Sequence, residues 1–299
     1  MDHATATFQK HRPRLMGLAY RMLGTQADAE DVLHDAWLRW HQQDPDALDD
    51  AEAWLITVTT RLSLDRLRRA KTERQHYTGP WLPEPLVEET EQPEAELERV
   101  ESLSLSFLAL LERLSPEERA AFLLVQVFDY SHAETAAMLQ IAEDACRQRV
   151  HRARQRLREG RPRFAHSPDA LRRLLEKFRD ALESASVESL QALFAEDAVH
   201  LADGGGKATA TLRPLHGGER LVRLYSIIAQ RYRHLPIVHR LQWINGAPAL
   251  LTWVDAKLAT VAWIETDGER ITSIHSLRNP EKLARLEAVT NPQARASLI

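Results

Sequence analysis

Apolar positions in the first part of the chain recur at helical rather than strand spacing. Phe8, Leu15, Leu18, Ala19 and Met22 fall on one stripe, and Gly24 stands where that helix should stop. A second stripe, Ala29, Val32, Leu33, Ala36 and Trp37, lies in a helix expected over Ala27–Trp40. Its polar positions are Glu30, Asp31, Asp35 and Arg39. A third, Trp54, Leu55, Val58, Leu62 and Leu67, runs through Trp54–Ala70 and ends in basic residues. Farther on, Ser115 reads as an N-cap with Pro116 at the first helical position and Glu118 three residues after the cap. That helix is expected to reach Val127. His132–Leu139, a turn at Gln140-Ile141-Ala142 and a last helix from Glu143 then give helix-turn-helix spacing.

The last helix sorts cleanly on a wheel at about 100° per residue. Cys146, Val150, Ala153 and Leu157 form the buried seam, and Gln148, His151, Arg152 and Gln155 point the opposite way. Arg147, Arg149, Arg154 and Arg156 lie on the flanks. In a helix docked in the major groove the far face reads bases and the flanks hold phosphates. Gln148, His151 and Arg152, with Arg147 as a fourth, are therefore the candidates for base contact. Arg154, Arg156 and Arg158 would hold the backbone.

Beyond Pro168 the period changes. Asp169–Ala185 and Val187–Phe194 read as helices. Alternating stretches follow at Ala198–Ala202, Ala208–Leu212, Ile237–Ile244, Ala249–Trp253, Lys257–Glu265 and Ile271–Ser276, with a helix expected over Glu219–Tyr232. Asn245-Gly246 and Asp267-Gly268 are hairpin turns. Helices followed by an antiparallel sheet make an α+β domain. The whole chain is thus multidomain: all-α modules first, an α+β domain last.

Charge changes the picture where composition does not. The formal net charge of −4 says little about nucleic acid. Its distribution says more: Arg61–Arg74 has six basic residues, Arg147–Arg158 has six arginines and no acid, and Glu84–Glu101 between them has eight glutamates against Arg99. Two basic helices around an acidic tether suit two DNA-contacting modules whose affinity comes largely from phosphate neutralisation. Within the tether, Gly79-Pro80-Trp81-Leu82-Pro83-Glu84-Pro85 cannot be helical, and Val87–Glu94 is too acidic and apolar-poor to fold alone. Trp81 is either a docking residue or simply exposed.

At 299 residues the chain suggests two or three domains. It has no apolar run approaching the ~20 residues of a membrane span, and no secretory signal opens it. With one cysteine, Cys146, no internal disulfide is available, which points to the cytoplasm and no membrane. Cys146 itself faces the core side and reads as a structural thiol. One cysteine and scattered histidines form no metal-ligand set, and no cofactor is expected.

RLMGLAYRMLGTQADAEDVLHDAWLRW followed by AWLITVTTRLSLDRLRRA resembles region 2 of the extracytoplasmic-function (ECF) sigma factors, and LSPEERAAF with RVHRARQRLR resembles their region 4. The resemblance implies that Glu30, Asp31, His34, Asp35 and Trp37 bind the clamp of core RNA polymerase. It likewise implies that Trp54, Leu55, Arg61, Asp65, Arg68 and Arg69 open and read the −10 element of promoter DNA. Region 4, with Arg147, Gln148, His151, Arg152, Arg154 and Arg156, would read the −35 element, and the polymerase flap is a further expected partner. His34 stands where the family commonly has Gln, and Arg61 where it commonly has Asn, which bears on the −10 bases accepted. The C-terminal part resembles the SnoaL-like cone of the NTF2 superfamily. Asp203-Gly204-Gly205-Gly206-Lys207, Asn279-Pro280-Glu281-Lys282-Leu283 and the Trp81-Leu82-Pro83-Glu84-Pro85 linker resemble motifs of ECF sigma factors that carry such an extension.

The organisation expected is region 2 over 1–75, an acidic linker over 76–104, region 4 over 105–162, a SnoaL-like domain over 168–290 and a tail over 291–299. Trp81, Leu82, Pro83, Asp203, Gly204, Gly205, Lys207, Asn279 and Pro280 are the expected regulatory interdomain residues. Lys207 could pair with linker glutamates or a face of region 2, the alternative being a solvated hairpin tip. Asp203, His200, His216, His239 and His275 could supply acid–base chemistry, but no pair has a diagnostic spacing, so no catalytic residue and no enzyme is expected. A small-molecule ligand of the cone remains possible. A helix-turn-helix alone would also fit a ligand-responsive repressor, and a cone alone an enzyme fused to a DNA-binding module. Neither needs the acidic helix of region 2.

Overall fold

A computed structural model of the chain describes residues 3–43, 48–86, 104–160 and 167–290. It divides into two compact units, Met1–His76 with Leu108–Gly160, and Tyr77–Phe107 with Arg161–Ile299.

The first unit is helical: α1 (His3–Leu23), α2 (Gln26–His41), α3 (Ala51–Arg74), α4 (Leu105–Leu111, whose first turn is counted with the second unit), α5 (Pro116–Gln126), α6 (His132–Leu139) and α7 (Glu143–Gly160). Each start has a local cause. Thr25 and Asp50 cap α2 and α3, accepting from Asp28 N and Ala53 N. Complete capping boxes open α5 at Ser115/Glu118 and α6 at Ser131/Glu134. Gly24, at φ 77°, ends the first helix, and Gln140, at φ 56°, ends α6 in a left-handed cap. The α7 seam is as expected: Cys146, Val150, Ala153 and Leu157 are buried, and Cys146 and Val150 pack with Ala121 and Ala136.

Polar groups tie α1 and α3 to the second half of this unit. Arg119, 1% exposed, donates to the carbonyls of Met22 at 2.9 Å and Leu111 at 2.6 Å. It also pairs with Glu112 at 2.7 Å, and Glu112 pairs with Arg74 at 2.6 Å. Lys71 donates to the Leu114 carbonyl and Arg14 to the Phe128 carbonyl. Leu55, assigned above to the −10 surface, is fully buried in the core of this unit, since its position on α3 falls with Ile56, Leu67 and Ala70.

The second unit contains α8 (Pro168–Glu183), α9 (Val187–Leu193), α10 (Gly218–Tyr232), α11 (Pro280–Thr290) and one six-stranded sheet. The strands are β1 (Phe194–Asp203), β2 (Leu215–His216), β3 (Ile237–Ile244), β4 (Ala247–Val254), β5 (Lys257–Thr266) and β6 (Ile271–Leu277), in the order β2-β1-β6-β5-β4-β3. Phe178, Leu190, Phe194, Leu221, Tyr225, Leu250, Ile264 and Ile274 form the core between helices and sheet.

Two expectations need correction. The sheet is not wholly antiparallel, because β1 runs parallel to β6, pairing Val199 with Ser273 and Asp203 with Leu277. Residues 208–212 form a loop rather than a strand. Lys207 N and Ala208 N both turn back onto the Gly204 carbonyl, and the Thr209 carbonyl is taken by the Arg278 side chain. The ladder resumes at the short β2, which the alternation did not reveal.

Candidate functional site

The helical unit presents two solvent-facing surfaces. On α2, Glu30, Asp31, His34 and Asp35 are all exposed on one side of the helix, opposite buried Ala29, Val32, Leu33 and Ala36. Leu38 joins them at 47% exposure. An apolar residue amid acids is the one element of this face that charge alone did not single out. Trp37 is half-buried, its ring edge-on to Phe8 with centroids 5.1 Å apart.

On α7, Arg147, Gln148, His151 and Arg152 line a shallow concavity on the exposed face. The arginines are braced from below. Glu118, the residue that completes the α5 capping box, is buried and pairs with Arg156 at 2.6 Å and Arg152 at 3.5 Å. Gln126 accepts from Arg154 at 2.6 Å, and Arg147 pairs with Glu143.

The −10 set is only partly available. Trp54 is half-buried, with its ring 5.6 Å from that of Trp40. Arg61 donates through Nε to the Met138 carbonyl at 3.0 Å. Arg68 bridges Asp65 at 3.1 Å and Glu117 at 3.0 Å. Arg69 is exposed. Within this unit, therefore, Arg61 and Arg68 each direct one donor, to α6 and α5 respectively.

The second unit builds its site around Asp203, which is 0% exposed at the end of β1. Its Oδ1 accepts from the Tyr77 hydroxyl at 2.6 Å, and its Oδ2 accepts from Leu82 N at 2.9 Å and Lys282 Nζ at 2.7 Å. Lys282 also donates to the Leu82 carbonyl at 2.6 Å and lies 4.0 Å from the Trp81 ring centroid. Asn279 Nδ2 donates to the Tyr77 oxygen at 2.9 Å, and Asn245 accepts from Leu86 N at 2.7 Å. The segment 77–86 is thus a strap laid on its own unit, with Leu82, Pro83, Glu84 and Pro85 buried and Trp81 docked by the lysine. Burial, and then the Asp203 carboxylate, push the Tyr77 phenol above its ordinary value, so it remains a donor.

The glycine run serves this anchor. Gly205 has φ 58°, and a Cβ there would come within 2.3 Å of Asn279 Nδ2 and 2.9 Å of the Tyr77 hydroxyl. Gly205→Ala should therefore lower the melting temperature of the C-terminal unit, at a cost of about 1–3 kcal/mol from strain and displaced bonds. An unchanged melting curve would show that the strap yields freely. Gly204 is equally tight, a Cβ meeting the Ala208 carbonyl oxygen at 2.3 Å. Lys207 pairs with Glu281 on α11, a partner that none of the sequence readings named. Linker residues 87–103 lie outside the described residues, as does the tail over 291–299. Pro280 opens α11 and places Lys282 in its first turn. Tyr77 and Lys282 were missed as site residues, although Lys282 lies inside a quoted motif.

The candidate acid–base residues do not converge on Asp203. His200 and His275 are buried, and each is driven down to about 4, His200 by burial and then the Arg278 charge, His275 by burial and then His200. His239 is lowered by burial and sits beside Thr252 at 3.0 Å. Among the described residues no cluster could hold a metal ion, and no helix is long and apolar enough to cross a membrane.

The helix-turn-helix and the helical module with the acidic face each correspond to a known sigma-70 region. The family profile Sigma-70 region 2 matches residues 7–73, and Sigma-70, region 4 matches residues 104–157. Over 289 residues the chain is 35% identical to the ECF RNA polymerase sigma factor SigJ of Mycobacterium tuberculosis, covering 95% of this chain and 91% of that one. It is 29% identical to the probable ECF RNA polymerase sigma factor SigI of the same species, covering 96% and 97%. The crystal structure of Mycobacterium tuberculosis SigJ matches with a TM-score of 0.73 at 29% identity, over 94% of this chain and 98% of that one. The chain belongs to the ECF RNA polymerase sigma factors, with an α+β C-terminal extension. It acts in promoter-specific transcription initiation.

Proposed function

We propose that this chain binds core RNA polymerase through the exposed acidic face of α2, reads the −35 element with α7, and is held in a closed state by its own strap and C-terminal domain. The observation that carries the closed state is the double use of Arg61 and Arg68, whose Nε groups donate to the Met138 carbonyl and to Glu117. Reading DNA with both modules requires those bonds to open. The strap bears on this through chain length alone. Residues 77–104 connect the two halves of the helical unit. With 77–86 pinned on the C-terminal unit, ten residues of that connection are taken up and cannot lengthen it. Pinning therefore opposes separation. The C-terminal domain acts here by contact rather than by turnover, since Asp203 commits both carboxylate oxygens to the strap. The polymerase is the partner that places the chain in the cytoplasm.

The test is to mix the purified chain with bacterial core polymerase and ask for co-elution and promoter-specific transcripts. Absence of both would overturn the reading and leave a repressor that uses the helix-turn-helix alone. On promoter DNA, Arg152→Ala and Gln148→Ala should each cost about 1–3 kcal/mol, and only at particular −35 base pairs. Arg154→Ala should weaken all sequences alike and reduce the salt slope by about 1. Equal salt and sequence effects for Arg152 and Arg154 would contradict this division, and fluorescence anisotropy at several salt concentrations separates the cases.

A further inference from the structure

Glu118 stands at the third position of α5 with its side chain 6% exposed, where donors must replace the water that a carboxylate loses on burial. Two donors fix one of its oxygens. Ser115 N donates to Oε2 at 3.0 Å, closing the capping box, and Arg156 Nη1 donates to the same oxygen at 2.6 Å. Oε2 is thereby held from two sides, and Oε1 is left to face Arg152 Nε, 3.5 Å away. The Arg152 side chain is 55% exposed, so this ion pair is anchored at its α5 end and open to solvent at its α7 end.

Which nitrogens are engaged decides what each arginine of α7 can still do. An end-on fork onto two acceptors needs both Nη nitrogens. Arg147 spends Nη2 on Glu143, Arg154 spends Nε and Nη2 on Gln126, and Arg156 spends Nη1 on Glu118. Arg152 differs from these three. It meets its carboxylate through Nε, with no hydrogen bond from either Nη to a described residue. It also shares the outward face of α7 with Gln148 and His151, opposite the buried Cys146, Val150, Ala153 and Leu157. In the major groove, guanine offers two neighbouring acceptors, O6 and N7, at the spacing of that fork.

We infer that Glu118 is a positioning residue for sequence reading: it buttresses Arg152 through Nε, so that the two Nη nitrogens are presented to O6 and N7 of a guanine in the −35 element. The inference rests on the −35 reading of α7. Glu118 is buried and acts on DNA only through the arginine. Its effect is preorganisation. An unsupported arginine loses side-chain freedom when it docks, a cost equivalent to about two- to tenfold in affinity, and the buttress removes part of that cost for the one base the fork fits. Because Arg156 shares the carboxylate, a phosphate-holding arginine and a base-reading arginine depend on one group at the start of α5.

The experiment loads the full-length chain onto bacterial core polymerase and selects bound duplexes from a pool randomised across the −35 and −10 regions, with sequencing as the readout. The wild-type chain should enrich a G·C pair whose preference falls about tenfold or more in Arg152→Ala, the loss expected for a bidentate contact. Replacing that guanine with 7-deazaguanine, which lacks the N7 acceptor, should weaken the wild-type complex and leave the Arg152→Ala complex unchanged. Glu118→Gln removes the charge but keeps the capping-box acceptor, since glutamine also serves at this helix position. It should cut the preference for that pair by about two- to tenfold while affinity for the pool as a whole is kept. Ser115→Ala should do the reverse, lowering the melting temperature with the preference intact. Enrichment of no sequence by the wild-type chain would remove the −35 reading and this inference with it. Wild-type preference in Glu118→Gln, an equal loss over all sequences, or a guanine preference that survives Arg152→Ala would each overturn the buttress and leave the −35 reading standing.

Discussion

Glu112→Gln should destabilise the helical unit by about 3–5 kcal/mol, the expected cost of breaking a buried ion pair from one side. Glu112 pairs with both Arg74, at 2.6 Å, and Arg119, at 2.7 Å. The glutamine would remove the carboxylate that both guanidinium groups share, and Arg119 is 1% exposed. The carbonyls of Met22 and Leu111 can hold its hydrogen atoms but not neutralise it. Urea unfolding followed by far-UV circular dichroism reads the effect. A loss below about 1 kcal/mol would place the triad with ordinary solvated surface pairs.

The same triad sets a pH dependence. Burial raises the Glu112 carboxyl, but the charges of Arg119 and Arg74 outweigh it and hold the group below its ordinary value. A carboxyl depressed in the folded state contributes stability that is complete above its unfolded pKa, ~4.3, and is lost as pH falls through the folded value. The helical unit should therefore lose stability below about pH 4, and Glu112→Gln should flatten that limb of the curve.

Asp203→Asn should unpin the strap and raise promoter-specific output several-fold at equal protein level. The asparagine keeps the size of the side chain but cannot neutralise Lys282, whose side chain is 10% exposed. It also presents one acceptor oxygen where Tyr77, Leu82 and Lys282 now share two. Truncating one partner of such a pair costs about 3–5 kcal/mol, more than a ten-residue segment held by a few bonds can absorb. Transcription with core polymerase gives the output, and protease sensitivity at 77–86 reports release. Release without a rise in output would refute the tether argument, and unaltered protease resistance would refute the anchor itself.

Helices in the first unit were legible because each carries its own instructions. The Ser115/Glu118 and Ser131/Glu134 boxes, the Gly24 stop and the α7 stripe are all local features of sequence. The exposed faces of α2 and α7 followed from the same stripes, since what does not face the core faces solvent. Leu55 stood both on the apolar stripe and in the resemblance's −10 set, and its place on the helix buries it, as the stripe implied. The anchor was legible only in part. Asp203 and Asn279 stood in noticeable motifs, but Tyr77 lies 126 residues from Asp203 and 202 from Asn279. No periodicity connects groups that far apart, and only the fold brings them together. The parallel pairing of β1 with β6 escaped for the same reason, because alternation reports a strand but not its neighbour.

The strap also has a history within each molecule. Its ten residues leave the ribosome well before Asp203, and Lys282 follows 200 positions after Leu82. At ~5–20 residues per second, the helices through α7 are complete on the order of ten seconds before the lysine that fastens the strap has been made. On the proposed closed state, every newly made copy therefore passes through an interval in which its helices through α7 exist and the strap's anchor does not. The length of that interval is set by the ribosome, so slow translation of the 3′ half of the message would lengthen the unrestrained phase without any change in the protein.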